Sequence, residues 1–120
     1  KALTEDGYDF VYVHIEAPDE MGHQGSAEDK ICAIEYIDDQ VIGPVTETLE
    51  KSGTDFRMLI MPDHPTPVRV RTHTSDPVPY MLYDSTKPVQ GKDSYSEKTG
   101  QETGIFVEKG YTLIDHLLNK

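Results

Sequence analysis

The sequence predicts an α/β domain with a mostly parallel sheet and flanking helices. Apolar runs rich in β-branched and aromatic residues, with little polar alternation, are typical of strands buried on both faces of a parallel sheet. Such runs occur at residues 10–15, 57–61 and 78–83. A long helical pattern separates the first two runs, and a strand, a helix and a second strand in this order favour a right-handed crossover.

The helical pattern begins at Ser26, which has the position of an N-cap. The Gly43–Pro44 step predicts a kink or a division of this helix, because proline lacks the amide hydrogen. Residues 84–104 are rich in Ser, Thr, Lys and Gly and predict a surface loop, whereas residues 111–119 predict a short amphipathic helix. Apolar residues at helical spacing predict one apolar face on the long helix: Ala27, Ile31, Ile34, Val41, Val45 and Leu49.

Length, charge and cysteine content limit the classes of function. The 120 residues suffice for one domain or part of one, and 22 acidic against 11 basic residues give a net charge of −11. This charge disfavours nucleic acid and anionic membranes as partners. No apolar run approaches the roughly 20 residues of a membrane span, and the first residues lack a signal-peptide pattern. With Cys32 as the single cysteine, we expect no intrachain disulfide and a reducing compartment, and the cytoplasmic location we expect agrees with that.

Five potential metal ligands follow the ends of predicted strands. Asp19 and His23 lie in APDEMGHQG, whereas Asp63, His64 and His73 lie in MPDHPTPVRVRTHTSDP. Ligands of open α/β sheets gather outside the carboxyl ends of the strands, so we expect these side chains to converge. Carboxylates combined with imidazoles suit Mn²⁺, Zn²⁺ or Fe.

Each part of this ligand set also has an ordinary interpretation. Asp19 and His23 can share an ion if residues 19–23 form a helical turn; the alternative is an ordinary loop in which the aspartate is a capping residue. Arg69 and Arg71, between the second and third histidines of the set, are candidates for phosphate contacts or residues of a solvated turn. His14 is interpreted as a core or hydrogen-bonded histidine.

Three segments, in this order, carry a family resemblance: APDEMGHQG, MPDHPTPV and THTSDPVPYMLY. They resemble the carboxy-terminal part of the archaeal-type cofactor-independent (2,3-bisphosphoglycerate-independent) phosphoglycerate mutases, which belong to the alkaline phosphatase superfamily. The resemblance covers nearly the whole chain. It implies that residues 1–120 are the carboxy-terminal portion of a metal-binding phosphatase-like domain, so that the alkaline-phosphatase-like fold is present as an incomplete domain.

The resemblance also implies two divalent metal ions, Mn²⁺ first, with Zn²⁺, Mg²⁺ and Co²⁺ as alternatives. Asp19, His23 and His73 would hold one ion, and Asp63 and His64 would help to hold the other. The implied reaction interconverts 3- and 2-phosphoglycerate through a phosphoserine, as a glycolytic isomerase does. The serine nucleophile and the substrate-binding basic residues of the family have no counterpart here. We therefore assign no catalytic residue in this chain and expect it to be inactive alone.

Two other functions stay open from the sequence. One is a different phosphotransferase or phosphodiesterase of the alkaline phosphatase superfamily, for example a phosphopentomutase, which would share the metals and differ in substrate. The other is a non-catalytic fragment that binds a metal ion for stability. A truncated sheet would leave an edge and apolar surface exposed, so we also expect self-association.

Overall fold

The computed structural model describes residues 1–118 and divides them into two compact units. The first unit contains residues 1–54 and 65–75, and the second contains residues 55–64 and the chain from residue 76 onward. In chain order the elements are α1 (Ala17–Gln24), α2 (Ala27–Ile37), a π-helical turn (Asp38–Ile42), α3 (Gly43–Ser52), β1 (Arg57–Ile60), β2 (Met81–Asp84), α4 (Glu97–Glu102), a 3₁₀ turn (Gly110–Thr112) and α5 (Leu113–Leu118).

Helix α1 spans Ala17–Gln24 and contains Asp19 and His23. Pro18 lies in its first turn, where the fixed φ of proline favours a helix and its missing N–H is not needed. Gly25 ends the helix in the left-handed conformation, at φ 75°, which glycine adopts without steric cost. Ser26 then caps α2 as predicted, since its hydroxyl accepts a hydrogen bond from the Asp29 amide at 3.2 Å.

The long helical segment is divided, as the Gly43–Pro44 step predicted. The π-helical turn precedes α3, and the Gly43 amide donates to the carbonyl of Asp38. Pro44 lies in the first turn of α3 and cannot donate a hydrogen bond to the preceding turn. The change of helical register therefore occurs where a regular α-helix would leave a carbonyl without its donor.

The predicted apolar face of this helical segment is largely exposed. Leu49 is buried at 6% exposure, but Ile31 is 56% exposed and Ile34 is 51% exposed. Of the six residues of this face, only Leu49 is buried. A helix face becomes buried only where another element packs on it, and an apolar pattern does not specify that partner.

The sheet also differs from the prediction. β1 and β2 pair antiparallel, with Arg57 opposite Asp84 and Ile60 opposite Met81, and no parallel pair occurs within residues 1–118. Residues 10–15, the predicted first strand, form no ladder and leave apolar side chains exposed. A strand requires a neighbour for its backbone hydrogen bonds, and the described part of the chain provides none for this segment.

The second unit shows two further differences from the sequence pattern. β2 begins at Met81 rather than at residue 78, because Pro77 and Pro79 cannot donate to a ladder. The predicted loop 84–104 contains α4, which begins with a capping box between Ser96 and Thr99. The predicted terminal helix is confirmed by α5, and its last predicted residue, 119, lies outside the described residues.

A cross-strand ion pair stabilises this unit. Arg57 Nε donates to Asp84 Oδ2 at 3.0 Å, and both side chains are 23% exposed. Hydrogen bonds from the hydroxyl and the amide of Thr86, together with the Arg57 guanidinium, lower the pKa of Asp84 from 3.8 to about 2. Because the folded-state pKa lies below the unfolded value, this carboxylate stabilises the fold above about pH 3.8. Its contribution is lost as the pH falls through about 2.

Asp84→Asn is therefore expected to lower the free energy of unfolding near pH 7, with a smaller loss near pH 3. Urea midpoints of parent and variant at both pH values measure this change. Glu47→Gln is the control, since the Glu47–Lys51 pair, at 2.7 Å, is exposed on α3 and its removal should cost less than about 1 kcal/mol. A loss at Asp84 that does not change between the two pH values would contradict this account.

Candidate metal centre

Three polar side chains of the first unit converge on one point. Asp19 and His23 lie four residues apart on α1 and therefore on the same side of the helix. Asp19 Oδ2 is 3.3 Å from His23 Nε2, and Asp19 Oδ1 is 3.1 Å from His73 Nε2. The two Nε2 atoms are 3.1 Å apart. Residues 19–23 thus form the helical turn that allows Asp19 and His23 to bind one ion together.

The spacing of these atoms fits a single metal ion. Ligand atoms that lie about 2.0–2.2 Å from a common ion are roughly 3–3.5 Å from one another in tetrahedral or octahedral geometry. The three distances fall in this range, and the three residues can hold one ion. The side chains of His23 and His73 are 43% and 50% exposed, so a bound ion would keep open positions for water or substrate.

A backbone carbonyl sets the orientation of the first histidine. His23 Nδ1 lies 3.0 Å from the carbonyl oxygen of Arg71. Because a carbonyl only accepts hydrogen bonds, Nδ1 carries the proton and Nε2 presents its lone pair to Asp19 and His73 in the neutral ring. This is the tautomer that a metal-bound histidine needs.

Arg71 reaches this position through an unusual backbone conformation. Its φ is 59°, the one positive φ of a non-glycine residue among those described. Its guanidinium lies against Gly25, where a Cβ atom would overlap it. Arg71 thus contacts His23 through its backbone carbonyl oxygen. A phosphate contact by the Arg71 side chain stays a prediction.

Thr66 contacts Asp19, one of the three converging residues, although the sequence pattern indicated no role for it. It is 4% exposed, and its hydroxyl donates to Asp19 Oδ1 at 2.5 Å. A threonine between two prolines, Pro65 and Pro67, carries no recognisable ligand or helix signal. The one available signal in this stretch was the adjacent Asp63–His64 pair, which the sequence predicts as metal ligands.

Asp63 and His64 belong to the second unit, where they contact each other. Asp63 Oδ2 is 3.3 Å from His64 Nε2, and Asp63 Oδ1 accepts a hydrogen bond from the His64 amide at 3.0 Å. Their assignment as ligands stays a prediction.

The core interpretation of His14 is wrong, since its side chain is 51% exposed and lies 3.8 Å from Glu16.

The chain belongs to the Metalloenzyme superfamily, whose family model matches residues 1–120. Membership implies the use of divalent metal and an α/β fold. A relative from Geobacter sulfurreducens, named a probable 2,3-bisphosphoglycerate-independent phosphoglycerate mutase, is 43% identical over 96% of this chain and 29% of its own length. The mutases of that name from Methanothrix thermoacetophila and from Methanothermobacter thermautotrophicus (mutase 2) are 46% and 43% identical over 92% and 98% of this chain.

The chain spans less than a third of the length of these relatives, since it covers 28% of the two archaeal proteins. No solved structure matches it. Within residues 1–118, every helix is too short or too polar to cross a membrane.

Proposed function

We propose that this chain is the metal-holding part of a 2,3-bisphosphoglycerate-independent phosphoglycerate mutase, which interconverts 3- and 2-phosphoglycerate. The relatives that carry this name align with 92–98% of the chain. The proposal concerns the whole protein, because the chain spans less than a third of those relatives. It includes residues 1–120 as the carboxy-terminal portion of the phosphatase-like domain, a parallel sheet that residues 10–15 join, and a cytoplasmic, glycolytic role.

The metal site of the proposal has Asp19, His23 and His73 as the ligands of one divalent ion. Asp63 and His64 help to hold a second ion. The observation that carries the proposal is the convergence of a carboxylate and two imidazole nitrogens at 3.1–3.3 Å. Electron pairs that face one another at this distance repel unless a cation or a proton lies between them. Oxygen and imidazole ligands suit Mn²⁺, which we propose as the ion.

Bound ions of this kind stabilise an oxyanion nucleophile and neutralise phosphoryl oxygens. In the proposed site, one residue of this chain orients a ligand and another balances part of the positive charge of the ions. The Arg71 carbonyl holds the His23 ring, and the Asp19 carboxylate supplies one negative charge. A phosphoglycerate is anionic and the chain has a net charge of −11, so substrate binding requires positive charge from metal ions or from residues elsewhere in the protein.

The test is an assay of the intact protein with 3-phosphoglycerate and without added 2,3-bisphosphoglycerate. We expect 2-phosphoglycerate to form, activity to disappear after chelation with EDTA, and Mn²⁺ to restore it. Pentose 1-phosphate and a phosphodiester, assayed in parallel, separate this reaction from those of other superfamily members. Turnover of either substrate in place of phosphoglycerate would contradict the proposed reaction and leave the metal site in place.

A further inference from the structure

We propose that Thr66 is a positioning residue, whose hydroxyl holds the Asp19 carboxylate in the orientation that binds metal. This inference rests on the proposed metal site. It assigns a role to a residue that is not itself a ligand and that neither the motifs nor the family resemblance indicated.

The contact with Asp19 constrains the carboxylate directly. The Thr66 hydroxyl donates to Oδ1 at 2.5 Å, and the same oxygen lies 3.1 Å from His73 Nε2. A carboxylate oxygen has two lone pairs, so a hydrogen bond to one of them leaves the other directed at the centre. Rotation of the carboxylate would break this bond, and the hydroxyl thereby also fixes Oδ2, which faces His23 at 3.3 Å.

Thr66 is itself held from two sides. Gly22, the buried glycine of α1, packs so closely against it that a Cβ at position 22 would lie 2.5 Å from the Thr66 carbonyl oxygen. From α2, Lys30 Nζ donates to that same carbonyl at 2.5 Å. The prolines on either side, Pro65 and Pro67, restrict φ of the adjoining backbone. The hydroxyl is therefore preorganised toward Asp19 before any ion binds.

The methyl group and the hydroxyl of Thr66 have separable roles. Thr66 Cγ2 would be 2.8 Å from a Cβ at Gly22, so the methyl group fills the contact with α1. Thr66→Val keeps the packing and removes the hydrogen bond. Thr66→Ser keeps the hydrogen bond and removes the methyl group. A purely structural role predicts that metal affinity follows stability, whereas a positioning role predicts that affinity follows the hydroxyl.

The experiment measures Mn²⁺ affinity by titration calorimetry and the melting temperature of the metal-free form, for the intact protein and the two variants. We expect Thr66→Val to bind Mn²⁺ about 10–100-fold more weakly, the usual cost of removing a hydrogen-bond partner of a metal ligand. Thr66→Ser should bind within about threefold of the parent, a difference of less than 1 kcal/mol, even where its melting temperature falls. If the valine variant does not fold, the serine and alanine variants provide the same comparison.

Three results would overturn the inference. Parent-like Mn²⁺ binding by the valine variant would show that the hydroxyl is not needed, while the proposed metal site would stand. An equal loss of affinity in the serine and valine variants would show that keeping the hydroxyl does not preserve Mn²⁺ binding, which contradicts the positioning role. Failure of the parent protein to bind Mn²⁺ would remove both the inference and the proposed site.

Discussion

His73→Ala is expected to lower Mn²⁺ affinity by more than the roughly 10–100-fold cost of losing a ligand's hydrogen-bond partner. In the proposed site this histidine is the ligand of the first ion from outside α1, and its Nε2 lies 3.1 Å from both Asp19 Oδ1 and His23 Nε2. Without it, two neighbouring side chains of one helix remain. In the intact protein, kcat/KM should fall by at least about 100-fold, since metal ions contribute several kcal/mol to charge stabilisation in the transition state.

The matched control is His116→Ala, which removes an exposed imidazole from α5. This variant should retain the parent's Mn²⁺ affinity and the proposed mutase activity. Since the side chain of His73 is half exposed, its removal should leave the metal-free fold intact, which circular dichroism and thermal melting can verify. Parent-like Mn²⁺ binding by His73→Ala would show that this residue is not a ligand.

Gly22→Ala is the substitution for which we expect the largest loss of stability, about 1–3 kcal/mol. The new Cβ would lie 2.5 Å from the carbonyl oxygen of Thr66 and 3.0 Å from the Cβ of Thr66. A backbone atom and a Cβ atom cannot move away by a rotation of the side chain. α1 and the segment with Thr66 would have to separate, which also lengthens the hydrogen bond to Asp19. Mn²⁺ affinity should therefore fall together with the free energy of unfolding, measured by urea denaturation.

Gly100→Ala is the control for Gly22→Ala, because both glycines lie inside helices. At Gly100, in α4, the nearest atom to a new Cβ is Pro79 Cβ at 3.6 Å, an ordinary van der Waals contact. Alanine should stabilise this position by roughly 0.5–1 kcal/mol through its better helix propensity. A stabilising effect of similar size at Gly22 would contradict the close approach between α1 and Thr66.

The sequence was sufficient to identify three of the residues that converge. The i, i+4 spacing of Asp19 and His23 places both side chains on the same side of a helix, because Pro18 and Gly25 delimit a helix around them. The roles of Thr66 and Arg71 could not be predicted in this way. A backbone carbonyl acts independently of residue type, and the hydroxyl of Thr66 gains its importance from packing against Gly22, a contact between segments more than 40 positions apart in the sequence.

The fold was predictable where local signals decide it. The Ser26 cap and the division at Pro44 depend on neighbouring residues and appear in the structure. Burial and strand pairing depend on distant partners, which apolar patterning does not specify. Residues 10–15 have the composition of a buried strand, yet Tyr12 is 75% exposed and Val13 is 63% exposed, because no described segment pairs with them. The antiparallel pairing of β1 with β2 equally follows from tertiary contacts.

Anomalous X-ray diffraction from crystals of the intact protein with Mn²⁺ tests whether Asp19, His23 and His73 bind one divalent ion, as proposed. We expect an anomalous peak about 2.2 Å from an Asp19 carboxylate oxygen and from both Nε2 atoms, a distance typical of such ligands. Ordered Mn²⁺ elsewhere in the protein, with no peak at these three atoms, would contradict the claim.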